Sequence, residues 1–338
     1  MKALRLEQIG SVHLRSVPVP PVAADEVLVE VTVAGICGSD RHLISGEYPG
    51  VPPVTLGHEL EGVVKETGPG AAMAVGTRVA VDPNIACLNC RYCRMGLVSH
   101  CTDLHAVGVD RDGGLAEQVT VPQRQAYELP ADLPPGFGAL CEPLACCLRA
   151  MDHALVQPGD KVAVLGGGVM GQLLSQLARL AGARVVLVTR QPQRRALAES
   201  LGAVATLDPA NGDVSEAISG RRGIAPGGVD VAFEAAGAAD TFRQAVEVVR
   251  RAGKVVVVGA APSSLTVPIS PFDIFARELQ VVGSHLNPLT HGRAVDLAAS
   301  GLLDLRPLIT RTVGLSDVKS VLMGPVGPGE VKVQVVPR

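Results

Sequence analysis

The chain has 338 residues, which is more than one domain usually needs, so two domains are expected. A hydrophobic content of 47% with 19% charged residues is typical of a packed globular protein. The net charge of −3 gives no basic excess, which argues against a nucleic-acid partner.

The N-terminus, MKALRLEQIGSV, alternates apolar and polar residues and lacks the apolar core of a signal peptide. No stretch approaches the roughly 18 apolar residues of a membrane-spanning helix. We therefore expect a cytoplasmic protein with no membrane partner. Thiols stay reduced in that compartment, so the cysteines are not expected to form disulfides.

Up to about Pro130, the chain is rich in short strand patterns separated by Pro and Gly turns. Examples are MKALRL, EVLVEVTVAGI, EGVVKETG and TRVAVD. Prolines inside several of these segments are typical of sheet edges or irregular barrels. This part of the chain is predicted to be all-β.

Two segments of this region contain candidate metal ligands. VAGICGSDRHL contains Cys37, with Ser39 and His42 close behind, and PPVTLGHELEGVV contains His58 and Glu59. A cysteine and a histidine with one further ligand would leave a fourth zinc position open for substrate. Taken singly, Cys37 also suits a small buried hydrophobe, His58 a core histidine and Glu59 a surface charge.

Cys87, Cys90, Cys93 and Cys101 follow one another at spacings of two, two and seven residues. Four thiolates close the tetrahedral coordination sphere of Zn²⁺, which predicts a structural zinc site that does no chemistry. The residues between them are polar or small, so the metal would order a loop that has no core of its own. An iron–sulfur cluster is the rival interpretation, and a redox-active cysteine pair is a weaker one.

From about Pro134 the pattern changes to alternating strands and helices. LCEPLACCLRAMDHA predicts a helix. KVAVLG, RVVLV and VDVAFEAAG predict strands that are followed by the helices GQLLSQLARLAG, QRRALAESLG and TFRQAVEVVRRAG, and KVVVVGA and ELQVVGSH predict two more strands. Such alternation predicts a parallel sheet covered on both faces. The last strand, EVKVQVVP, has the period-two pattern of the first region and is expected to return there.

The segment KVAVLGGGVMG contains G-x-G-x-x-G at Gly166, Gly168 and Gly171, between a predicted strand and a predicted helix. In that context the first glycine permits a tight turn, the second lets the backbone approach a pyrophosphate, and the third lets helix and strand pack closely. The helix N-terminus supplies unpaired N–H groups for the anion. The alternative is a glycine-rich turn with no ligand.

The end of the second strand bears on the choice of cofactor. NAD enzymes place an acidic residue there, whereas RVVLV is followed by Thr189 and Arg190. Arg190, with Arg194 or Arg195 nearby, permits a 2′-phosphate, which favours NADP over NAD. If Arg190 is only a solvated surface residue, either cofactor fits.

Together these segments resemble the zinc-containing medium-chain dehydrogenase/reductase superfamily over nearly the whole chain. The resemblance is carried by CGSDxH at 37–42, GHE at 57–59, CxxCxxC(x7)C at 87–101, EPLACCLRA at 142–150 and GGGVMG at 166–171. The EPLA segment and the late segment GSHLNPLTHGRAVDLAASG resemble the polyol (sorbitol/L-iditol) and threonine dehydrogenase branch.

The resemblance implies an α/β protein with two domains. Residues 1–135 would form a GroES-like β-barrel catalytic domain that carries a structural zinc lobe at 84–104. Residues 136–282 would form a Rossmann nucleotide-binding domain with a doubly wound parallel sheet, and residues 283–338 would return to the catalytic domain. Homodimers or homotetramers are also implied.

The resemblance further implies a role for each candidate site residue. Cys37 and His58 would bind the catalytic zinc, Glu142 would be a third ligand or hold a water beside it, and Glu59 would be a ligand in some states. Ser39 would hydrogen-bond the substrate alcohol, and His42 would relay its proton to solvent. The cofactor-binding residues would be Gly166, Gly168, Val169, Met170, Gly171, Thr189, Arg190, Arg195 and Gly259.

The predicted function is a zinc-dependent, NAD(P)-linked interconversion of a secondary alcohol or polyol and its ketone, with a small-molecule substrate. One alternative is the reduction of an activated C=C bond, in an enone or enoyl thioester, on the same scaffold. The other is a non-catalytic cofactor-binding protein. Tyr48, His285 and Asn287 are further candidates for substrate contact, although core or surface packing is the better explanation of each.

Overall fold

The computed structural model describes residues 1–48 and 50–337. Its first part consists of short strands joined by turns and two short helices. The strands are β1 (Lys2–Gln8), β2 (Ser11–Ser16), β3 (Glu26–Ile36), β4 (Val54–Thr55), β5 (Glu59–Thr67), β6 (Arg78–Val81), β7 (Asn84–Ile85), β8 (His105–Ala106), β9 (Gln118–Pro122) and β10 (Ala126–Glu128). The helices are α1 (Gly38–Ser45) and α2 (Arg91–Arg94).

The rest of the chain alternates strands and helices before it returns to strands at its end. The helices are α3 (Cys141–Ala154), α4 (Val169–Leu180), α5 (Pro192–Ser200), α6 (Val214–Ser219), α7 (Ala239–Val248), α8 (Pro271–Arg277), α9 (His291–Ala299) and α10 (Val318–Met323). The strands are β11 (Lys161–Leu165), β12 (Arg184–Val188), β13 (Ala205–Leu207), β14 (Val229–Glu234), β15 (Val249–Val257), β16 (Gln280–Gly283), β17 (Ile309–Gly314) and β18 (Lys332–Val336).

The eleven-residue strand β3 is the centre of the larger β-sheet of the first part, which has the order β10-β6-β5-β3-β18-β17. One edge of β3 pairs antiparallel with β5. The other edge is shared, because β9 pairs with residues 26–30 and β18 pairs with residues 34–36. The last strand of the chain is therefore inserted next to one of the first, where its alternating apolar residues Val333 and Val335 are buried.

The second sheet has the order β13-β12-β11-β14-β15-β16, and all of its pairings are parallel. Its central strands β11, β12 and β14 are apolar at most successive positions because both of their faces are covered. In β11, Val162 and Val164 join the core under α3 and α4, while Ala163 and Leu165 join the core on the opposite face. The strand order reverses between β11 and β14, and ligands of such sheets bind where the order reverses.

Helix α7 ends at Val248, whereas the sequence pattern predicted a helix through Gly253. Residues 249–253 instead form the irregular start of β15, with Val249 opposite Val229 of β14 and a left-handed backbone at Ala252. The β-branched pair Val248–Val249 is buried, and such residues fit a sheet at least as well as a helix. Among the described residues, no helix is long and apolar enough to cross a membrane.

The Glu61 carboxylate of β5 anchors the segment that joins the two sheets. It accepts hydrogen bonds from the backbone N–H groups of Gly136 and Gly138, each at 2.8 Å. Gln334 of β18 donates to the carbonyl oxygen of Gly136 at 2.6 Å. Glu61 is only 2% exposed, and this burial raises its pKa above the ordinary value. The connection to α3 is thus tied to two strands of the first sheet.

Replacing Glu61 with Ala should lower the free energy of unfolding by about 3 kcal/mol, because two buried N–H groups lose a charged acceptor. Chemical denaturation measures this change. Glu66→Ala is the matched control, since Glu66 is an exposed residue of the same strand and its loss should change the free energy by less than about 0.5 kcal/mol. Equal effects of the two substitutions would contradict an anchoring role for Glu61.

Candidate active site and metal centres

The thiol-bearing residue Cys37 lies where β3 ends and α1 begins, as the N-cap of that helix. The Asp40 carboxylate accepts the backbone N–H of Cys37, with 2.9 Å between Cys37 N and Asp40 Oδ2, in a capping-box arrangement. The other Asp40 oxygen, Oδ1, lies 3.4 Å from Nδ1 of His58. One fully buried carboxylate therefore orients both Cys37 and His58.

Cys37, His58 and Glu59 form a potential metal centre, because one ligand atom from each lies within 4.8 Å of the other two. Burial alone would lower the pKa of His58, but the charges of Asp40 and Cys37 outweigh burial and raise it well above the ordinary value. The pocket around this ring thus carries excess negative charge. A thiolate, an imidazole and a carboxylate are a donor set that suits Zn²⁺, so these residues fit a catalytic zinc.

Glu59 is also held by a buried ion pair with Lys332 of β18. Lys332 Nζ lies 2.7 Å from Oε1 and 2.5 Å from Oε2 of Glu59, and each side chain is about 1% exposed. The two residues come from β5 and β18, on opposite edges of β3, so the Glu59 carboxylate must cross Gly35 of β3. A Cβ atom at position 35 would lie 2.1 Å from Glu59 Oε2, so only glycine leaves room for this contact.

Glu142, in the first turn of α3, lies on the same cleft but outside the group of three ligand atoms. Its Oε1 atom accepts a hydrogen bond from the Cys146 thiol one turn later, at 3.3 Å. Burial raises the pKa of Glu142 to about 7, although the charge of His58 opposes this. The structure thus brings Glu59, rather than Glu142, into closest association with Cys37 and His58.

Ser39 and His42, on α1, connect the metal centre with the surface. Ser39 Oγ lies 3.7 Å from the Cys37 sulfur, and both Ser39 and His42 line the cleft. His42 Nδ1 lies 2.6 Å from Oε2 of Glu47, whose side chain is 49% exposed. The His42 ring therefore has the cleft on one side and a solvated carboxylate on the other.

Cys87, Cys90, Cys93 and Cys101 come together in the lobe around α2, with their sulfur atoms within 4.8 Å of one another. Backbone N–H groups point at these sulfurs, and such donors, chiefly from Cys93 and Thr102, lower the pKa of Cys90 to about 5. All eight cysteines of the chain are free thiols. Four thiols with N–H donors to the thiolates fit a closed, structural zinc site.

The turn between β11 and α4 has the shape of an anion-binding site. Gly168 is the N-cap of α4, and a Cβ atom placed there would meet nothing within 4 Å, so the backbone is open to a ligand. At Gly171 a Cβ atom would lie 1.9 Å from the Gly166 carbonyl oxygen, so helix and strand pack too closely for any side chain. Val169 and Met170 line the cleft beside this turn.

The end of β12 places Thr189 and Arg190 on the cleft, with Arg190 exposed. Arg195 is directed elsewhere: its guanidinium pairs with Asp208 at 2.9 Å and donates to the Thr189 carbonyl oxygen at 2.7 Å. Gly259, at the end of β15, lines the opposite side of the cleft. Of the two arginines assigned to the cofactor, only Arg190 therefore keeps its charge free in the cleft.

One cleft of about 1670 Å³ extends from the first sheet to the second. It is lined by residues of the metal centre, such as Cys37 and His58, and by residues of the candidate cofactor site, such as Gly168 and Arg190. Of the three further candidates for substrate contact, Tyr48 and His285 line the cleft. Asn287 does not: it is 1% exposed and contacts Asp82 and Asn84 through its side-chain amide.

Three residues with evident roles in this site were missed at the level of sequence. Asp40 had a usable signal, because an acidic residue three positions after a helix start is typical of a capping box. Glu47 and Lys332 had none. Lys332 is 273 positions from Glu59, and only the strand order makes them neighbours.

Comparison with known proteins was made by family model, by sequence and by structure. Residues 23–131 match the model for the alcohol dehydrogenase GroES-like domain, and residues 169–300 match the model for zinc-binding dehydrogenases. The chain is 33% identical to L-idonate 5-dehydrogenase of Vitis vinifera, over 89% of this chain and 84% of that protein. It is 30% identical to sorbitol dehydrogenase of Bacillus subtilis, over 95% and 92% of the two chains.

A solved structure is more similar still. The crystal structure of a zinc-binding dehydrogenase from Sinorhizobium meliloti 1021, bound to NADP, superposes with a TM-score of 0.97. The two chains share 50% sequence identity, and the match covers 99% of each.

The structural zinc site makes a prediction about metal content. Cys101→Ser should lower the zinc bound by dialysed protein from two ions per chain to one, and should lower Tm, because the lobe loses a ligand of a closed site. Elemental analysis and a thermal melt measure both. Cys141→Ser, at a buried cysteine outside either metal centre, should retain two zinc ions. Iron and inorganic sulfide in the wild-type protein would contradict a zinc site.

Proposed function

The chain belongs to the zinc-containing alcohol and polyol dehydrogenases and is an NAD(P)-linked oxidoreductase, and we propose that it interconverts a polyol and its ketose at the cleft described above. The observation that carries this proposal is the position of Cys37, His58 and Glu59. Their ligand atoms cluster within 4.8 Å on the wall of the same cleft as the open Gly168 backbone. Substrate and cofactor can therefore meet in one cavity.

Cys37 and His58, with Glu59 in some states, are the proposed ligands of the catalytic zinc. When bound, the zinc polarises the substrate oxygen and the nicotinamide accepts or donates the hydride. Asp40 keeps Cys37 and His58 in place, and Lys332 compensates part of the Glu59 charge. Glu142 is proposed as a third ligand or as the holder of a nearby water, with Cys146 fixing one of its oxygens.

Ser39 and His42 are proposed to move the proton of the substrate hydroxyl. Ser39, two residues from Cys37, is placed to hydrogen-bond that hydroxyl. His42 then passes the proton towards solvent, and Glu47 at 2.6 Å stabilises the ring while it carries the extra charge. The path ends at the surface, where the side chains of His42 and Glu47 are 31% and 49% exposed.

The cofactor is proposed to lie across the carboxyl ends of β11 and β12. Its pyrophosphate would meet the N–H groups of the first turn of α4, through Gly166, Gly168, Val169, Met170 and Gly171. Arg190 beside Thr189, with no acidic residue at that point, supports NADP in preference to NAD.

We also propose two domains and an oligomeric assembly of the chain. Residues 1–135 and 283–338 are assigned to the catalytic domain, and 136–282 to the nucleotide-binding domain. A homodimer or homotetramer is supported by the exposed edge strand β16 and by Phe272 and Phe275 of α8, which are 73% and 78% exposed. A cytoplasmic location remains a prediction from the sequence.

The proposed reaction is tested with purified, zinc-replete protein and each reduced cofactor, by following the reduced-nicotinamide absorbance with ketoses, simple ketones, enones and enoyl thioesters. We expect turnover of ketoses. Cys37→Ala should lower kcat to below about 1% of wild type, because it removes a ligand of the catalytic metal, with the Kd for NADPH changed less than about threefold. Turnover of the C=C substrates alone, or full activity of Cys37→Ala, would contradict the proposal.

Cofactor preference is tested separately at Arg190. Arg190→Ala should raise the KM for NADPH about 10- to 100-fold through loss of a charge-assisted hydrogen bond, with a much smaller effect on NADH. Arg195→Ala is the control, because Arg195 is committed to Asp208 and its loss should affect both cofactors alike. An equal change of the two KM values in Arg190→Ala would remove the basis for preferring NADP.

A further inference from the structure

Helix α3 presents a stripe of four side chains to the cleft: Glu142, Cys146, Arg149 and His153. They are spaced by four, three and four residues, so they lie on one face of the helix. Glu142 lies beside the metal centre. Arg149 follows it by seven residues, which is about 10 Å along the helix axis. The stripe therefore runs from Glu142, beside the metal centre, to the positively charged guanidinium of Arg149.

Arg149 is half-buried and has no partner among the residues that the structure describes. The nearest carboxylate in sequence, Asp152, is committed to Arg293 through two contacts of 2.7 and 3.1 Å. Taking a guanidinium partly out of water without an anion is unfavourable, and a planar guanidinium suits a carboxylate or a phosphate in two-point contact.

Most other arginines of the cleft do have partners within the chain. Arg41 donates to three carbonyl oxygens at the end of α10, Arg243 pairs with Asp240, and Arg194 donates to the Glu330 carbonyl oxygen. Of the five arginines that line the described cleft, only Arg149 and Arg190 have neither a hydrogen-bond nor an ion-pair partner among the described residues. Arg190 lies at the end of β12, with the proposed site for the cofactor's 2′-phosphate.

The cofactor does not account for Arg149. The pyrophosphate has the open turn at Gly168 and the N-terminus of α4, and the adenosine end has Arg190. Arg149 lies instead on the helix that carries Glu142 and Cys146. Its distance from Glu142 along the helix suits the far end of an extended polyol whose reacting hydroxyl is at the metal centre.

The other basic groups near the substrate end suit hydroxyls better than anions. The rings of His100 and His285 are 6.1 Å apart and both line the cleft. Burial and the neighbouring His100 lower the pKa of His285, so its ring is neutral at pH 7 and exchanges hydrogen bonds with hydroxyl groups. Arg149, by contrast, keeps its positive charge at pH 7 and lines the same cleft.

We propose that Arg149 determines specificity by binding an anionic end group, a carboxylate or a phosphate, on the polyol substrate. The inference rests on the proposed polyol dehydrogenase function and narrows its substrate to sugar acids or polyol phosphates. Arg149 binds and orients the substrate at a distance from the reacting carbon and takes no part in hydride or proton transfer.

The test compares neutral and anionic substrates that are otherwise matched: L-iditol with L-idonate, and galactitol with galactitol 1-phosphate. Values of kcat/KM are measured for wild type, Arg149→Gln, Arg149→Lys and Arg221→Gln. Wild type should prefer the anionic member of at least one pair, and which pair responds identifies the carboxylate or the phosphate. Arg149→Gln should lower the anionic-to-neutral ratio of kcat/KM about 10- to 100-fold, as expected for the loss of one charge-assisted hydrogen bond.

The remaining variants separate the effect of the charge at position 149 from a general effect of substitution on folding. Arg149→Lys should restore part of the ratio, because it keeps the charge. Arg221→Gln removes an exposed arginine outside the cleft and should leave the ratio within about twofold of wild type. In wild type, added salt should raise the KM for the anionic substrate more than for the neutral one, a readout that does not depend on any variant folding.

Three results would overturn the inference. They are turnover of neutral polyols alone by wild type, an unchanged ratio in Arg149→Gln, and an equal rise of the KM for the cofactor with both members of a pair in that variant. In each case the polyol dehydrogenase function still stands, since wild type oxidises a polyol. If wild type oxidises none of the four substrates, the proposed function itself fails, and the inference fails with it.

Discussion

The buried ion pair between Glu59 and Lys332 is the contact on which the arrangement of the site depends. It joins β5, which also supplies His58 at its start, to the last strand of the chain across the glycine of β3. Two charges that are about 1% exposed are stable only together, because either one alone would be left buried without a counter-ion. The catalytic half of the cleft is therefore complete only when the C-terminal strand has paired with β3.

The same pair sets the electrostatic balance of the metal centre. Asp40, Glu59, Glu142 and the Cys37 thiol surround His58, and Lys332 forms a direct ion pair with Glu59 alone among them. The charges of Asp40 and Cys37 hold the pKa of His58 high, while burial holds the pKa of Glu142 near 7. A divalent cation would relieve this excess of acceptors, which explains why a donor set so costly to bury persists in a cleft.

The cleft itself separates two kinds of anion recognition. The cofactor side relies on backbone N–H groups and one exposed arginine, which suits a pyrophosphate and a phosphate monoester. On the substrate side, the stripe on α3 combines a carboxyl, a thiol and a cation at helical spacing. The Glu61 anchor holds the start of α3 to the first sheet, so the stripe keeps its position relative to the metal centre.

The sequence by itself determined the features that depend on local pattern. Period-two segments indicated β1, β3 and β18, strand–helix alternation indicated the parallel sheet, and the short spacings indicated the four-cysteine cluster and the glycine turn. The sequence pattern placed the end of α7 too late. The reason is that β-branched residues fit a helix or a strand, and pairing with a neighbouring strand decides between the two. Only the tertiary structure decided that Lys332 meets Glu59, that Arg195 is committed to Asp208, and that Arg149 meets no carboxylate within the described ranges 1–48 and 50–337. The reason is physical: the partner of a charge depends on strand order and on packing between segments that are not neighbours in sequence, and no local periodicity carries that information.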